Sequence, residues 1–181
     1  LLAQEDLLTD PEFTTLMAQV RSYRNQDKMV EALESLEKAA KHAESTEDTR
    51  EVIRSNFMFA ELFLDLDRLS EADFYLDGIN QLLETTEYFY GNAASFYIQA
   101  RKLFKEGNYY QALGALDKAK DESNDRNLLN RITLLEGQIY AALPSGLERG
   151  ITRFNALREN SDPFEKDYLR ARAFLALAEI Y

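Results

Sequence analysis

Cysteine is absent from the 181 residues. That excludes disulfides, thiolate zinc sites and cysteine nucleophiles, and it leaves the redox compartment open. Histidine occurs once, as His42, so neither an ordinary zinc site nor a serine–histidine triad can be assembled within the chain. Three prolines and seven glycines are too few for a turn-rich all-β fold. Apolar runs extend for only a few residues, so no segment is expected to span a bilayer. A glycine-rich phosphate loop is missing as well. The chain begins with Leu1 rather than methionine, and is expected to be a piece of a longer protein. Any leader or anchor, and the choice between cytoplasm and periplasm, stay open.

What is present is an acidic, aromatic-rich chain long enough to bury a substantial core. It carries 32 acidic residues against 21 basic ones, for a formal charge of −11. That sign repels phosphate backbones and anionic lipid, so neither nucleic acid nor a membrane surface is an expected partner. Ten tyrosines and eleven phenylalanines are expected mostly to fill layers between helices, with a minority left for a binding surface.

A glycine–asparagine break leads into YYQALGALDKAK, from Tyr109 to Lys120, and this stretch has counterparts along the chain. Forty residues upstream lies DRLSEADFYLDGINQ, and forty further upstream QDKMVEALESLEKAAK; thirty-eight downstream lies SGLERGITRFNALRE. Aligned, they open on Met29, Leu69, Tyr109 and Leu147. A small column follows at Ala32, Ala72, Ala112 and Gly150. A large one stands at Leu36, Leu76, Leu116 and Phe154, and a third at Ala39, Ile79, Ala119 and Leu157. Steps of 3, 4 and 3 trace one face of an α-helix.

A second helix precedes each block. Its small column is Val20, Ala60, Ala100, Gly137 and Ala178; three residues later stand Tyr23, Phe63, Leu103, Tyr140 and Tyr181. Small residues at crossings let two backbones approach, and large ones fill the flanks. Each unit is therefore an A helix and a B helix joined by a short turn. Helices are expected near 10–25, 28–44, 47–66, 70–84, 87–106, 109–121, 126–142, 146–159 and 163–181. Asp10–Pro11 and Asp162–Pro163 supply caps, the latter with Glu165. Ser145 with Glu148 forms a capping box, and Ser70 with Asp73 and Asn108 with Gln111 form weaker ones. No linker is evident, so 1–181 is expected to be a single domain, with units near 10–46, 47–86, 87–124 and 125–161 and a last helix at 162–181.

The order small, large, glycine, tyrosine, alanine, leucine, alanine resembles a tetratricopeptide repeat. The match is closest at Phe96, Ala100, Leu103, Gly107, Tyr109, Ala112, Leu116 and Ala119. The period is 38–40 here, against 34 in the standard repeat, and the terminal proline of that repeat is missing. HEAT and armadillo arrays have a similar period but lack this signature. The resemblance implies an all-α fold, a right-handed α-solenoid of about nine antiparallel helices.

Chemistry is sparse. His42 stands among Lys41 and Glu44 and reads as a solvated helix residue. DESNDRN at 121–127 has the acid density of a calcium loop, but lacks the central glycine and carries Ile132 where the bidentate glutamate belongs. It reads as a loop with an N-cap. Asp65 and Asp67 would lie on different sides of a helix. No catalysis, metal or cofactor is expected.

In tetratricopeptide arrays the A helices line a concave groove. Carried over by column, the resemblance assigns Thr14, Met17, Arg21 and Arg24 to the groove from the first unit, and Arg54, Phe57, Glu61 and Leu64 from the second. The third gives Ala94, Tyr97, Arg101 and Phe104, and the fourth Arg131, Leu134 and Gln138. Five arginines against one glutamate, with aromatics between them, suit an acidic or aromatic peptide. The alternative is that these arginines pair with acids on neighbouring helices. The lysines and asparagines of the chaperone-tail carboxylate clamp do not stand at the matching positions, where Met17, Arg21 and Phe57 are found, so an Hsp70 or Hsp90 tail is not an expected partner. The expected function is a non-catalytic scaffold that binds a peptide or partner domain. A second expectation is a regulatory segment of a larger bacterial signalling protein with a GGDEF cyclase, histidine kinase or transcriptional-activator output. Helix 163–181, with Phe164, Leu169, Phe174, Leu177, Ile180 and Tyr181, is expected to support self-association.

Overall fold

The computed structural model describes residues 10–160 and 166–180. Among the described residues the regular elements are all α-helices. They are α1 (Pro11–Asn25), α2 (Met29–Ser45), α3 (Thr49–Asp65), α4 (Leu69–Leu83), α5 (Phe89–Lys105), α6 (Tyr109–Glu122), α7 (Arg126–Ala142), α8 (Leu147–Asn160) and α9 (Lys166–Ile180). The first eight agree with the sequence expectation to within two residues at each end. Calls made at Asp162–Pro163, Phe164, Glu165 and Tyr181 lie outside the described residues, as do the side chains of Leu169 and Ile180.

The turns explain why the period is so regular. Where α1 ends, Lys28 N–H donates to Tyr23 C=O at 2.9 Å and Asp27 N–H to Arg24 C=O at 3.1 Å. The same pair of bonds joins Arg68 to Phe63 and Asp67 to Leu64 after α3, then Asn108 to Leu103 and Gly107 to Phe104 after α5. These are Schellman closures, in which one left-handed residue reverses the chain. The left-handed residues are Asp27, Asp67 and Gly107, with φ of 59°, 57° and 79°. Glu47, at φ 55°, closes α2 in the same way through Asp48 and Ala43. The last residue of each closure also heads the following helix, so partner helices meet with almost no loop.

Side-chain caps are selective. Asp10 accepts from Glu12 and Phe13 N–H at 2.7 and 3.1 Å, Asp48 caps α3 through Arg50 and Glu51, and Asp125 caps α7 through Leu128. Three expected caps are not formed. Helix α4 starts at Leu69, so Ser70 already lies inside its first turn. Asn108 holds the cap position, but its amide turns to Glu106 instead. Helix α8 starts at Leu147 rather than after Ser145. The residue before it is Gly146, where a Cβ would come within 2.2 Å of the Tyr140 carbonyl oxygen. The chain leaves α7 too tightly for a side chain there.

Two compact units make up the chain, Leu1–Gly91 and Asn92–Tyr181, and α5 begins in the first and runs on into the second. In the first unit α1 packs on α2, α2 on α3 and α3 on α4. In the second α6 packs on α7, α7 on α8, and α9 on both α7 and α8. The small columns lie where they were expected: Ala32, Ala39, Ala60, Ala100, Ala112 and Ala119 have no exposure. Ala178 is the exception and is exposed.

Burial separates two kinds of helix. Helix α6 buries a single stripe, Ala112, Ala115, Leu116 and Ala119. Helix α3 buries the continuous run from Phe57 to Leu64, as a helix packed on several sides does. The second unit has its core at Leu134, Phe154, Leu157 and Ala173, flanked by Ala141, Ala176 and Leu177.

Candidate functional site

The residues expected to line a groove fall into two classes once they are placed. Met17, Phe57, Tyr97 and Leu134 are buried, at 3–6% exposure, and Leu64 and Ala94 are fully buried. They are core positions, a correction to their expected exposure. Helices α3 and α7 bury residues on more than one face, so the column carried over by the resemblance reaches into the interior there. Arg21, Arg54, Arg101, Phe104, Arg131 and Gln138 stay half-buried, and Thr14 is exposed.

Arg24 and Glu61 form a different arrangement from the one expected. Arg24 lies in the last turn of α1, while Glu61 and Asp65 lie one turn apart on α3, so both carboxylates share a face. Arg24 Nη1 is 3.0 Å from Glu61 Oε2, and Nη2 is 2.7 Å from Asp65 Oδ2. Its Nε also donates to Asp65 Oδ2, at 2.8 Å. The Arg24 and Glu61 side chains are 7% and 1% exposed. The fork of the guanidinium is thus spent on the protein itself. The reading in which arginines pair with acids of neighbouring helices holds at this position.

Arg54 sits in an aromatic setting within the first unit. Its Nε donates to Tyr88 Oη at 2.7 Å, and its guanidinium lies 5.4 Å from the Tyr90 ring centre. Arg50 lies 5.6 Å from the Tyr88 ring centre, and Phe57 meets Tyr90 edge-on at 6.0 Å. Cations over tyrosine faces gain from the ring quadrupole. Tyr88, Phe89 and Tyr90 are consecutive in the sequence, but no local signal pairs them with Arg50 and Arg54. In the second unit the Phe104 and Tyr109 rings meet at 5.8 Å across the α5–α6 turn.

Two further clusters went unread. Phe59 and Phe63 stack on Tyr75 at 4.5 and 5.6 Å, and Arg68 lies 4.7 Å over Phe63. Burial, and then the Glu37 charge, push the Tyr75 hydroxyl up. The neighbouring Phe74 is 72% exposed. In the second unit Glu136, buried on α7, accepts from Lys120 of α6 at 2.6 Å and lies 2.9 Å from Arg153 of α8. Burial alone would lower the Lys120 ammonium, but the hydrogen bonds it donates to Asp117 and Glu136 outweigh it and raise its pKa.

His42 is not a solvated helix residue. Its imidazole is 17% exposed and lies 3.0 Å from Asp10 Oδ1. Among the described residues no group of three or more histidine, aspartate and glutamate side chains is placed to hold a metal ion, and no helix is long and apolar enough to cross a membrane.

No family model, curated protein or solved structure matches the chain.

Proposed function

We propose that the helix pairs are tetratricopeptide-like repeats of a right-handed α-solenoid, and that the chain is a non-catalytic module binding an acidic or aromatic segment of another protein. The observation that carries this reading is the closure repeated at Tyr23–Lys28, Phe63–Arg68 and Leu103–Asn108. Identical turns at a fixed period stack identical helix pairs, and stacked pairs present an extended binding face. Helices α1 and α3 supply such a face in the first unit, and α7 supplies one in the second.

The buried members of the carried-over set, Met17, Arg24, Phe57 and Glu61 in the first unit and Tyr97 and Leu134 in the second, belong to the core and do not meet the partner. The half-buried Arg21, Arg54, Arg101, Phe104, Arg131 and Gln138 are the residues that meet the partner. Guanidinium groups beside aromatic rings favour carboxylate and aromatic side chains. The net charge of −11 sets this face apart from the rest of the chain and disfavours nucleic acid and anionic lipid. Self-association is assigned to α9, where Phe174 and Leu175 are 52% and 64% exposed.

The test is selection from a displayed peptide library against the wild-type chain and a variant carrying Arg21→Glu, Arg101→Glu and Arg131→Glu. Circular dichroism checks that both are folded. Enriched peptides should be rich in acidic and aromatic residues and should lose binding to the variant. Enrichment of basic peptides, or equal binding to the folded variant, would remove the proposal.

A further inference from the structure

Phe74 breaks the pattern of its own column. It lies five residues after Leu69, and the same step from Met29, Tyr109 and Leu147 reaches Glu34, Gly114 and Thr152. All four positions are exposed, and Phe74 is 72% exposed. A phenyl ring left in water forgoes the gain that burial would bring. Packing within the chain therefore does not call for phenylalanine here.

The ring is the outer end of an aromatic series. Phe74 meets Tyr75 edge-on at 5.2 Å, and Tyr75 stacks on the buried Phe59 and Phe63. One cation already sits on this series, since Arg68 lies 4.7 Å from the Phe63 ring centre. Arg68 is itself engaged, donating through Nε to Glu71 at 2.7 Å.

The charges around the exposed ring have one sign. Helix α4 contains Glu71, Asp73 and Asp77 and no cationic residue. Glu71 and Asp77 stand three residues before and after Phe74, one turn away on the same helix face. Glu37 of α2 lies near enough for its charge to act on the Tyr75 hydroxyl.

We propose that Phe74 and Tyr75, with Glu71, Asp77 and Glu37 around them, dock a lysine- or arginine-rich segment of another protein. One cationic side chain of that segment lies over the Phe74 ring, as Arg68 lies over Phe63. Its neighbours along the segment pair with Asp77 and Glu37. Charge complementarity selects this occupant, because an acidic segment would meet like charges on every side of the ring. The preference is opposite to that of the half-buried Arg21, Arg54 and Arg131 on α1, α3 and α7.

The experiment is a titration of the whole chain with a capped peptide of alternating arginine and glycine. Amide chemical shifts locate the contact, and fluorescence anisotropy of the labelled peptide gives the affinity. Shifts should concentrate between Ser70 and Gly78. Phe74→Thr leaves the charge unaltered and matches the column residue Thr152; it should weaken binding roughly threefold to tenfold. Glu37→Gln combined with Asp77→Asn should also weaken binding, and more so at low salt than at high salt. Circular dichroism checks that the variants are folded. Equal binding by folded Phe74→Thr would reduce the effect to net charge and overturn the proposal. Equal or tighter binding of the same peptide with glutamate in place of arginine would also overturn it. So would α4 shifts that follow protein concentration without peptide, which would put a second copy on this surface.

Discussion

Gly137 of α7 lies against the ring of Phe154 of α8 so closely that a Cβ on the glycine would stand 2.5 Å from the ring edge. One turn along the same crossing, a Cβ on Gly150 would stand 2.9 Å from the Gly137 carbonyl oxygen. The two backbones meet here, and Phe154, fully buried, fills the space beside them. Gly137→Ala should therefore destabilise the fold by about 1–3 kcal/mol, because neither the ring nor the backbone can yield freely. Gly114 is also helical but has nothing within 4 Å of its would-be Cβ. Gly114→Ala should stabilise by about 0.5–1 kcal/mol through helix propensity. Denaturant midpoints of the two variants should move in opposite directions.

The turns offer a second test of opposite signs. Asp27, Glu47 and Asp67 hold left-handed backbone, with φ of 59°, 55° and 57°, a region that costs side-chain-bearing residues roughly 1–2 kcal/mol. Glycine relieves that strain and returns part of the gain as unfolded-state entropy. Glu47→Gly should raise the melting temperature, while Gly107→Ala, at φ 79°, should lower it. Calorimetry of the two single variants decides the point.

The helices among the described residues and most of their small columns were legible because one pattern recurs with a nearly constant period and each buried small position has one role, closeness to a neighbouring backbone. Ala32, Ala72, Ala112 and Gly150 could be named before any coordinates for that reason. The expected binding face was harder to read. Phe57 shares the spacing of groove positions but is core, because α3 is buried on several sides, and Met17 lies in the single buried stripe of α1. Arg24 with Glu61, and His42 with Asp10, are pairs separated by 37 and 32 residues. A single sequence contains no local signal that joins them. Gly146 took the place expected of Ser145 for a similar reason, the approach of the Tyr140 carbonyl.

Ala112 has no exposure and sits at the α6 crossing. Ala112→Leu should cost about 1–3 kcal/mol by overpacking. Tyr110, two residues earlier and 78% exposed, should accept leucine with a change within about 0.5 kcal/mol. Equal urea midpoints for the two variants would place α6 in another register.

Arg24 gives the sharpest division between a binding face and a structural one. A solvent-facing arginine can be removed at a cost of about 0–1 kcal/mol. Arg24 instead lies 3.0 Å from Glu61, which is 1% exposed, and 2.7 Å from Asp65. Arg24→Met keeps much of the aliphatic stem and deletes the charge, leaving the Glu61 carboxylate buried without this partner. The cost should be about 3–5 kcal/mol, that of an uncompensated buried charge. Glu61→Gln removes the charge that Arg24→Met strands, so the double variant should be more stable than the sum of the single changes implies, with coupling of about 0.5–3 kcal/mol. Raising the salt concentration should change the cycle little, because screening acts weakly on buried pairs. An Arg24→Met variant as stable as wild type would return this arginine to the solvent-facing set and remove the ion-paired junction between α1 and α3.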